Sequence, residues 1–196
     1  MRLNVPLVLQ RKNECSIASG MMILKYLDYR IEYDEFKNLV KRRSKGVSIF
    51  DLAVAFKELN LNPHILFFNF LFFNDSFSCK NSLNSSNEML DSIKRACENK
   101  VNIKHKIFFV DDLINLLDKG FPIITLVSLR EFREKSYDPW RGHFVVIYGY
   151  DKLKKRFWVK DPLPRLEKNE LLVPYGKMFA SIYRTNFPAI LWIEKK

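Results

Sequence analysis

The chain has 196 residues, 47% hydrophobic and 14% aromatic, which is enough apolar side chain to bury a core as one domain. Its 33 basic against 22 acidic residues give a net charge of +11. No helix-turn-helix pattern, aromatic RNA-reading motif, zinc-ligand spacing or phosphate-cradling glycine loop accompanies that charge, so neither nucleic-acid binding nor a metal or nucleotide cofactor is expected.

The N-terminus, MRLNVPLVLQRKNE, lacks a long apolar run ending in a small-residue cleavage site, and no secretory signal is read there. The stretch from Cys15 to Leu27 reads as an apolar helix with Cys15 at its start and Gln10 five residues ahead. A thiol at a helix N-terminus feels the positive end of the macrodipole and the unpaired backbone N–H groups, both of which favour thiolate. A short helix over Phe36 to Lys41 follows, with Asp34 or Glu35 near its positive end. The basic cluster Lys41-Arg42-Arg43-Ser44-Lys45 reads as a solvated face. Ser48 then caps a helix carrying Ile49, Leu52, Ala53, Phe56 and Leu59 at helical spacing, with Asp51 as the reciprocal acidic partner, and Asn60 to Pro63 ends it.

His64 to Phe73 is a continuous apolar, β-propensive run and reads as a buried strand. Its apolar part is about half the roughly 20 residues a membrane-spanning helix needs, so no transmembrane segment and a cytoplasmic protein are expected. The Asn- and Ser-rich residues 74–87 read as an inserted surface loop. In the helix read over Glu88 to Asn99, Met89, Ile93, Ala96 and Cys97 share a face, with Cys97 a small core hydrophobe. Cys15, Cys79 and Cys97 make an odd count without paired spacing, which argues against a disulfide scaffold and for a reducing compartment.

From Lys104 the signal turns to strands. Lys106 to Val110 reads as one, Asp111 or Asp112 caps a helix over Leu113 to Lys119, and Gly120 closes it. Phe121 to Val127 is a second strand. His143 to Tyr150 and Arg156 to Lys160 form a hairpin through the polar turn 151–155, whose lysines read as a solvated tip, and Ala189 to Ile193 is a last strand. Helices over about 1–103 followed by an antiparallel sheet over about 104–196 make an α+β fold in a single domain.

The hairpin carries the chemistry. Walking outward from Tyr150 beside Arg156 brings His143 within a residue or so of Asp161 and Pro162, and cross-strand Cβ atoms lie about 4.5–5.5 Å apart. A carboxylate there would fix the tautomer of the imidazole and support its positive charge. Pro162 cannot continue the ladder, so the strand ends where Asp161 turns inward. Taken singly, a Cys on an apolar helix is more often a buried hydrophobe, a strand His more often structural, and an Asp-Pro more often a turn starter. Jointly, Cys15, His143 and Asp161 meet three independent requirements of a nucleophile, base and orienter, and the Gln10 amide could donate to an oxyanion beside the Cys15 N–H.

These residues, with Val5-Pro6, Glu14, Gly142-His143-Phe-Val-Val, Phe157-Trp-Val-Lys-Asp161-Pro162, Gly46 to Leu52 and Asp112 to Ile124, resemble the bacteriocin-processing peptidases of the papain-like superfamily over most of the chain. The resemblance implies a papain-like fold and a cysteine peptidase in which Cys15 is the nucleophile, His143 the general base and acid, Asp161 the orienter and Gln10 the oxyanion donor. Ser16 stands where many members carry Gly, and the interval from Gln10 to Cys15 is one residue shorter than in the papain pattern. No ATP-binding or membrane-spanning segment follows, so a peptidase–transporter and its double-glycine leader substrate are not implied.

The expected partner is a peptide or protein substrate. The same apparatus could pass an acyl group to an amine, giving an acyltransferase. The alternative from another class is a catalytically inactive papain-like module whose basic surface or Phe-rich segment 65–73 binds a partner.

Overall fold

The computed structural model of the protein describes residues 1–44, 46–69, 88–133, 142–164, 168–185 and 187–194. The inserted loop read at 74–87, Cys79 and the end of the strand read to Phe73 lie outside them. The element order is α1 (Cys15–Tyr26), α2 (Tyr33–Leu39), α3 (Ile49–Glu58), β1 (Asn62–Phe67), α4 (Glu88–Glu98), β2 (Asn102–His105), α5 (Val110–Asp118), β3 (Ile123–Ser128), α6 (Leu129–Arg133), β4 (Gly142–Asp151), β5 (Arg156–Lys160), β6 (Glu170–Pro174), α7 (Tyr175–Tyr183) and β7 (Ala189–Glu194).

All of the described strands join one sheet in the order β2-β1-β7-β3-β4-β5-β6, with β1 and β2 parallel and the other pairs antiparallel. Successive residues of a strand face opposite sides, and here both sides are covered. Ile65, Phe67, Phe144, Val146, Ala189 and Leu191 face a core shared with α1 and α3. Leu66, Val145, Ile147, Phe157, Ile190 and Trp192 face the core of α5 and α7. Burial on both faces is why these strands read as apolar runs rather than as alternating ones.

α1 is central. Every residue from Ser16 to Leu24 is buried, so this helix shows no polar face and gains its stability from packing. α3 starts as its sequence suggests, the Asp51 N–H donating to Ser48 Oγ at 3.0 Å. Asp51 does not return the cap to the Ser48 backbone. Its fully buried carboxylate instead accepts from Arg43 Nε at 2.7 Å, Ser92 Oγ at 2.7 Å, Ser48 Oγ at 2.8 Å and Arg95 Nη1 at 3.3 Å, tying α3 to α4. Arg43 therefore belongs to an internal ion pair and not to a solvated face. The lysines of the hairpin tip, Lys152, Lys154 and Lys155, are exposed, as read.

Several local readings change. β1 begins two residues earlier than the predicted strand, and α2 spans Tyr33–Leu39. The strand expected over Lys106–Val110 lies instead at Asn102–His105. The ladder stops there because Phe108 turns into the core while Asp112 Oδ2 accepts the Phe109 N–H at 2.8 Å and starts α5. α6, β6 and α7 are additional elements, and β1 and β2 bring the front half of the chain into the same sheet as the back half. Cys97 is disulfide-bonded and not a free small hydrophobe, so the cysteine count no longer argues for a reducing compartment. No helix among the described residues is long and apolar enough to cross a membrane.

Candidate active site

The register of the β4–β5 hairpin decides where Asp161 points. Near the turn, Tyr150 pairs with Phe157 and Gly149 with Trp158; beyond a β-bulge, Ile147 pairs with Val159 and Val146 with Lys160. Tyr148 is the extra residue. Continued one step, this register sets Asp161 beside Val145, which shares a face of β4 with His143. Without the bulge Asp161 would fall beside Val146 and point to the other side of the sheet, because a one-residue slip inverts every side chain. His143 and Asp161 are thus diagonal neighbours on the α5–α7 face, two residues from direct opposition.

His143 Nε2 lies 2.8 Å from Asp161 Oδ1. Both residues are buried, His143 at 4% and Asp161 at 0% exposure. β5 ends at Lys160, as the following proline requires, and Asn169 holds the turn that follows. The Asp161 N–H donates to Asn169 O at 2.9 Å and Asn169 Nδ2 donates to Asp161 O at 2.8 Å. The Leu163 N–H donates to Asp161 Oδ1 at 2.9 Å, and Arg133 Nη2 donates to Oδ2 at 2.8 Å. Burial raises the Asp161 pKa, but His143, the Leu163 N–H and Arg133 together lower it further, so the group is ionised below the usual carboxylate range.

Cys15 comes from the opposite side of the sheet. α1 packs on the face carrying Phe144, Val146 and Tyr148, and its first residue meets the His143 ring beside the Phe144 N–H. Burial raises the thiol pKa. The hydrogen bond and charge of His143, followed by the backbone N–H groups of Phe144 and Ser16, more than reverse this, and the net direction is down. For His143, burial lowers the pKa while Asp161 and Cys15 raise it, and the net direction is up. A thiol pushed down beside an imidazole pushed up is the condition for a thiolate–imidazolium pair.

Glu14, just before Cys15, would oppose a thiolate if left unpaired. Its buried carboxylate is neutralised by Lys37 at 2.8 Å and Arg42 at 3.5 Å, which ties the start of α1 to α2 and the segment after it. Gln10 is fixed by its own N–H, which donates to Pro162 O at 2.8 Å, and its side-chain Oε1 is buried without a partner. The fold therefore gathers Cys15, His143 and Asp161 and holds the Gln10 backbone against the residue after Asp161. Arg133 and Asn169 were not singled out from the sequence, and Glu14 was named there only as part of the family resemblance, without a role. Asn169 and Arg133 lie far from any motif, and only the acidic character of Glu14 beside the Cys was a visible signal.

The Peptidase_C39 like family matches residues 2–186. The chain belongs to that family. It is thus a papain-like cysteine peptidase of C39-like type, and its fold agrees with solved structures. A putative C39-like peptidase from Bacillus anthracis superposes with a TM-score of 0.61 at 15% identity, covering 98% of this chain and 96% of that one. The peptidase domain of Streptococcus ComA, a bifunctional ABC transporter involved in quorum sensing, gives 0.60 at 13%, covering 98% and 100%. A double-glycine-motif protease from an AMS/PCAT transporter, solved with its leader peptide, gives 0.57 at 16%, covering 99% and 94%. At these identities the likeness is one of fold. A comparison with curated proteins finds no match. Among the described residues of this C39-like chain no cluster of His, Cys, Asp and Glu could hold a metal ion.

Proposed function

We propose that this C39-like chain hydrolyses peptide bonds through a Cys15–His143–Asp161 triad within a single peptidase domain. The observation that carries the reading is the buried 2.8 Å contact between His143 Nε2 and Asp161 Oδ1, with the Cys15 thiol on the same imidazole. With Nε2 engaged by the carboxylate, Nδ1 is the nitrogen left for sulfur. The thiolate attacks the scissile carbonyl carbon, and the carbonyl π electrons move onto oxygen. The Cys15 N–H and the Gln10 side-chain amide donate to that oxyanion. Collapse of the intermediate breaks the C–N bond as the His143 imidazolium protonates the leaving amine. Water, deprotonated by the now neutral His143, then cleaves the thioester and restores the thiol pair.

The leader peptide bound to the transporter protease of the same fold makes an extended peptide the first substrate class to test here. The test begins with the thiol. Alkylation of the folded protein by iodoacetamide across pH, read by peptide mass, is expected to modify Cys15 well below pH 8 in wild type and to lose that low-pH reactivity in His143→Ala. A Cys15 that reacts only as an ordinary thiol at every pH rejects the reading and favours the inactive binding module.

A further inference from the structure

We propose that Arg133 is a positioning residue of this site: by holding Asp161 Oδ2 it reserves Oδ1 for His143 and limits how strongly the carboxylate retains the imidazolium. The inference rests on the triad reading above. Arg133 ends α6, its side chain is 8% exposed, and its Nη2 lies 2.8 Å from Asp161 Oδ2. Its buried Nε has no hydrogen-bond partner. The guanidinium thus meets the carboxylate through one oxygen, leaving the other to His143 and the Leu163 N–H. A buried ion pair is a poor device for stability alone, since apolar side chains of similar volume often serve as well or better. At this place it sets the charge behind the imidazole.

Among the described residues, the charged groups around the pair are these. Cys15 faces His143 from α1. Glu131 of α6 and Arg184, just after α7, pair with each other at 3.6 Å, and Glu131 also accepts from Ser128. Lys160 and Glu170 pair on the strand positions that face the other side of the sheet. Arg133 is a cation held on the Asp161 oxygen that does not face His143. Neutralising it removes a like charge from the neighbourhood of the imidazolium and leaves the full carboxylate charge to it; both effects raise the affinity of His143 for its proton. With Arg133 in place the imidazolium is the stronger acid, which suits a group that must protonate a leaving amine.

The test is alkylation of the whole protein by iodoacetate, in which the Cys15 thiolate displaces iodide. Its rate rises as the thiolate forms and falls as the neighbouring imidazolium loses its charge, so the upper limb of the pH profile reports His143. The readout is the position of that limb on the pH axis and not the rate, because the anionic reagent also senses Arg133 directly. Arg133→Met and Arg133→Gln are expected to move the limb to higher pH, while Arg133→Lys keeps it near the wild-type position. The glutamine variant makes the same charge change with hydrogen bonding retained, should the methionine variant fail to fold. A merely structural role would lower the folded fraction and leave the limb where it is. A wild-type limb that neither neutral variant moves overturns this inference alone; a wild type without such a limb overturns the triad reading and this inference with it.

Discussion

His143 and Asp161 meet at 2.8 Å although the strand register sets Asp161 beside Val145, two residues from His143. The contact is diagonal across the hairpin and exists because the bulge at Tyr148 turns Asp161 to the face His143 occupies. Asp161→Asn keeps the shape and removes the charge, leaving Arg133 to face the imidazole. The upper limb of the Cys15 iodoacetate profile is then expected to move to lower pH, opposite to the Arg133 variants, and peptide hydrolysis to fall at every pH. Parallel profiles of the two variants would show that charge on this axis does not govern His143.

The oxyanion assignment separates from the thiolate assignment by experiment. Removing one oxyanion donor costs roughly 10²–10³-fold in kcat. Gln10→Ala is expected to lose about that much in peptide hydrolysis while Cys15 alkylation keeps its wild-type pH profile, since the amide does not set the thiol pKa. An unchanged turnover would remove Gln10 from the site.

Asp51 is the stability anchor of the α1–α4 side, a fully buried carboxylate paired with Arg43 and Arg95. Asp51→Ala leaves both cations without it, and breaking a buried pair costs about 3–5 kcal/mol. Urea unfolding should show a fall of that order. Burial raises the Asp51 pKa, and Arg43, Ser92 and Ser48 lower it by more, so the net direction is down. Its contribution is complete above the unfolded carboxyl pKa and is lost as pH falls through the lower folded value. The gap between wild type and Asp51→Ala should therefore shrink on acidification, which unfolding at a series of acid pH values measures.

Gly20 lets α2 approach α1. A Cβ there would stand 2.4 Å from Phe36 Cε1 and 2.7 Å from Cζ. Phe36 is fully buried and cannot swing aside without repacking. Gly20→Ala gains helix propensity of up to about 1 kcal/mol, but overpacking costs typically about 1–3 kcal/mol. A net loss of melting temperature is expected; a rise would show that Phe36 has room to yield.

Much of the molecule was legible because it is written in local chemistry. Ser48 and Asp51 mark the start of α3 within one turn. Pro162 stops β5 by lacking an N–H. The helix at Cys15 is continuous in apolar side chains, so its existence needed no knowledge of what covers it. The strand misplaced at Lys106–Val110 shows the limit: Ile107, Phe108 and Phe109 have strand propensity, but Phe108 is taken by the α5–α7 core and Asp112 captures the Phe109 N–H. Tertiary burial and a cap outweighed propensity there.

The sequence by itself determined the residue types of a thiol site, their order along the chain, the helix that carries Cys15 and the hairpin that carries His143 and Asp161. Each follows from hydrophobic pattern, turn chemistry and proline, which act over a few residues. Tertiary structure alone decided that Tyr148 bulges and so fixes the face of Asp161. It also decided that Cys15 crosses from the other side of the sheet to His143, and that Arg133, remote from every motif, lands on Asp161 Oδ2. These depend on register and on which surfaces meet across the sheet. They are set by long-range packing free energy, of which no short stretch of chain holds a record.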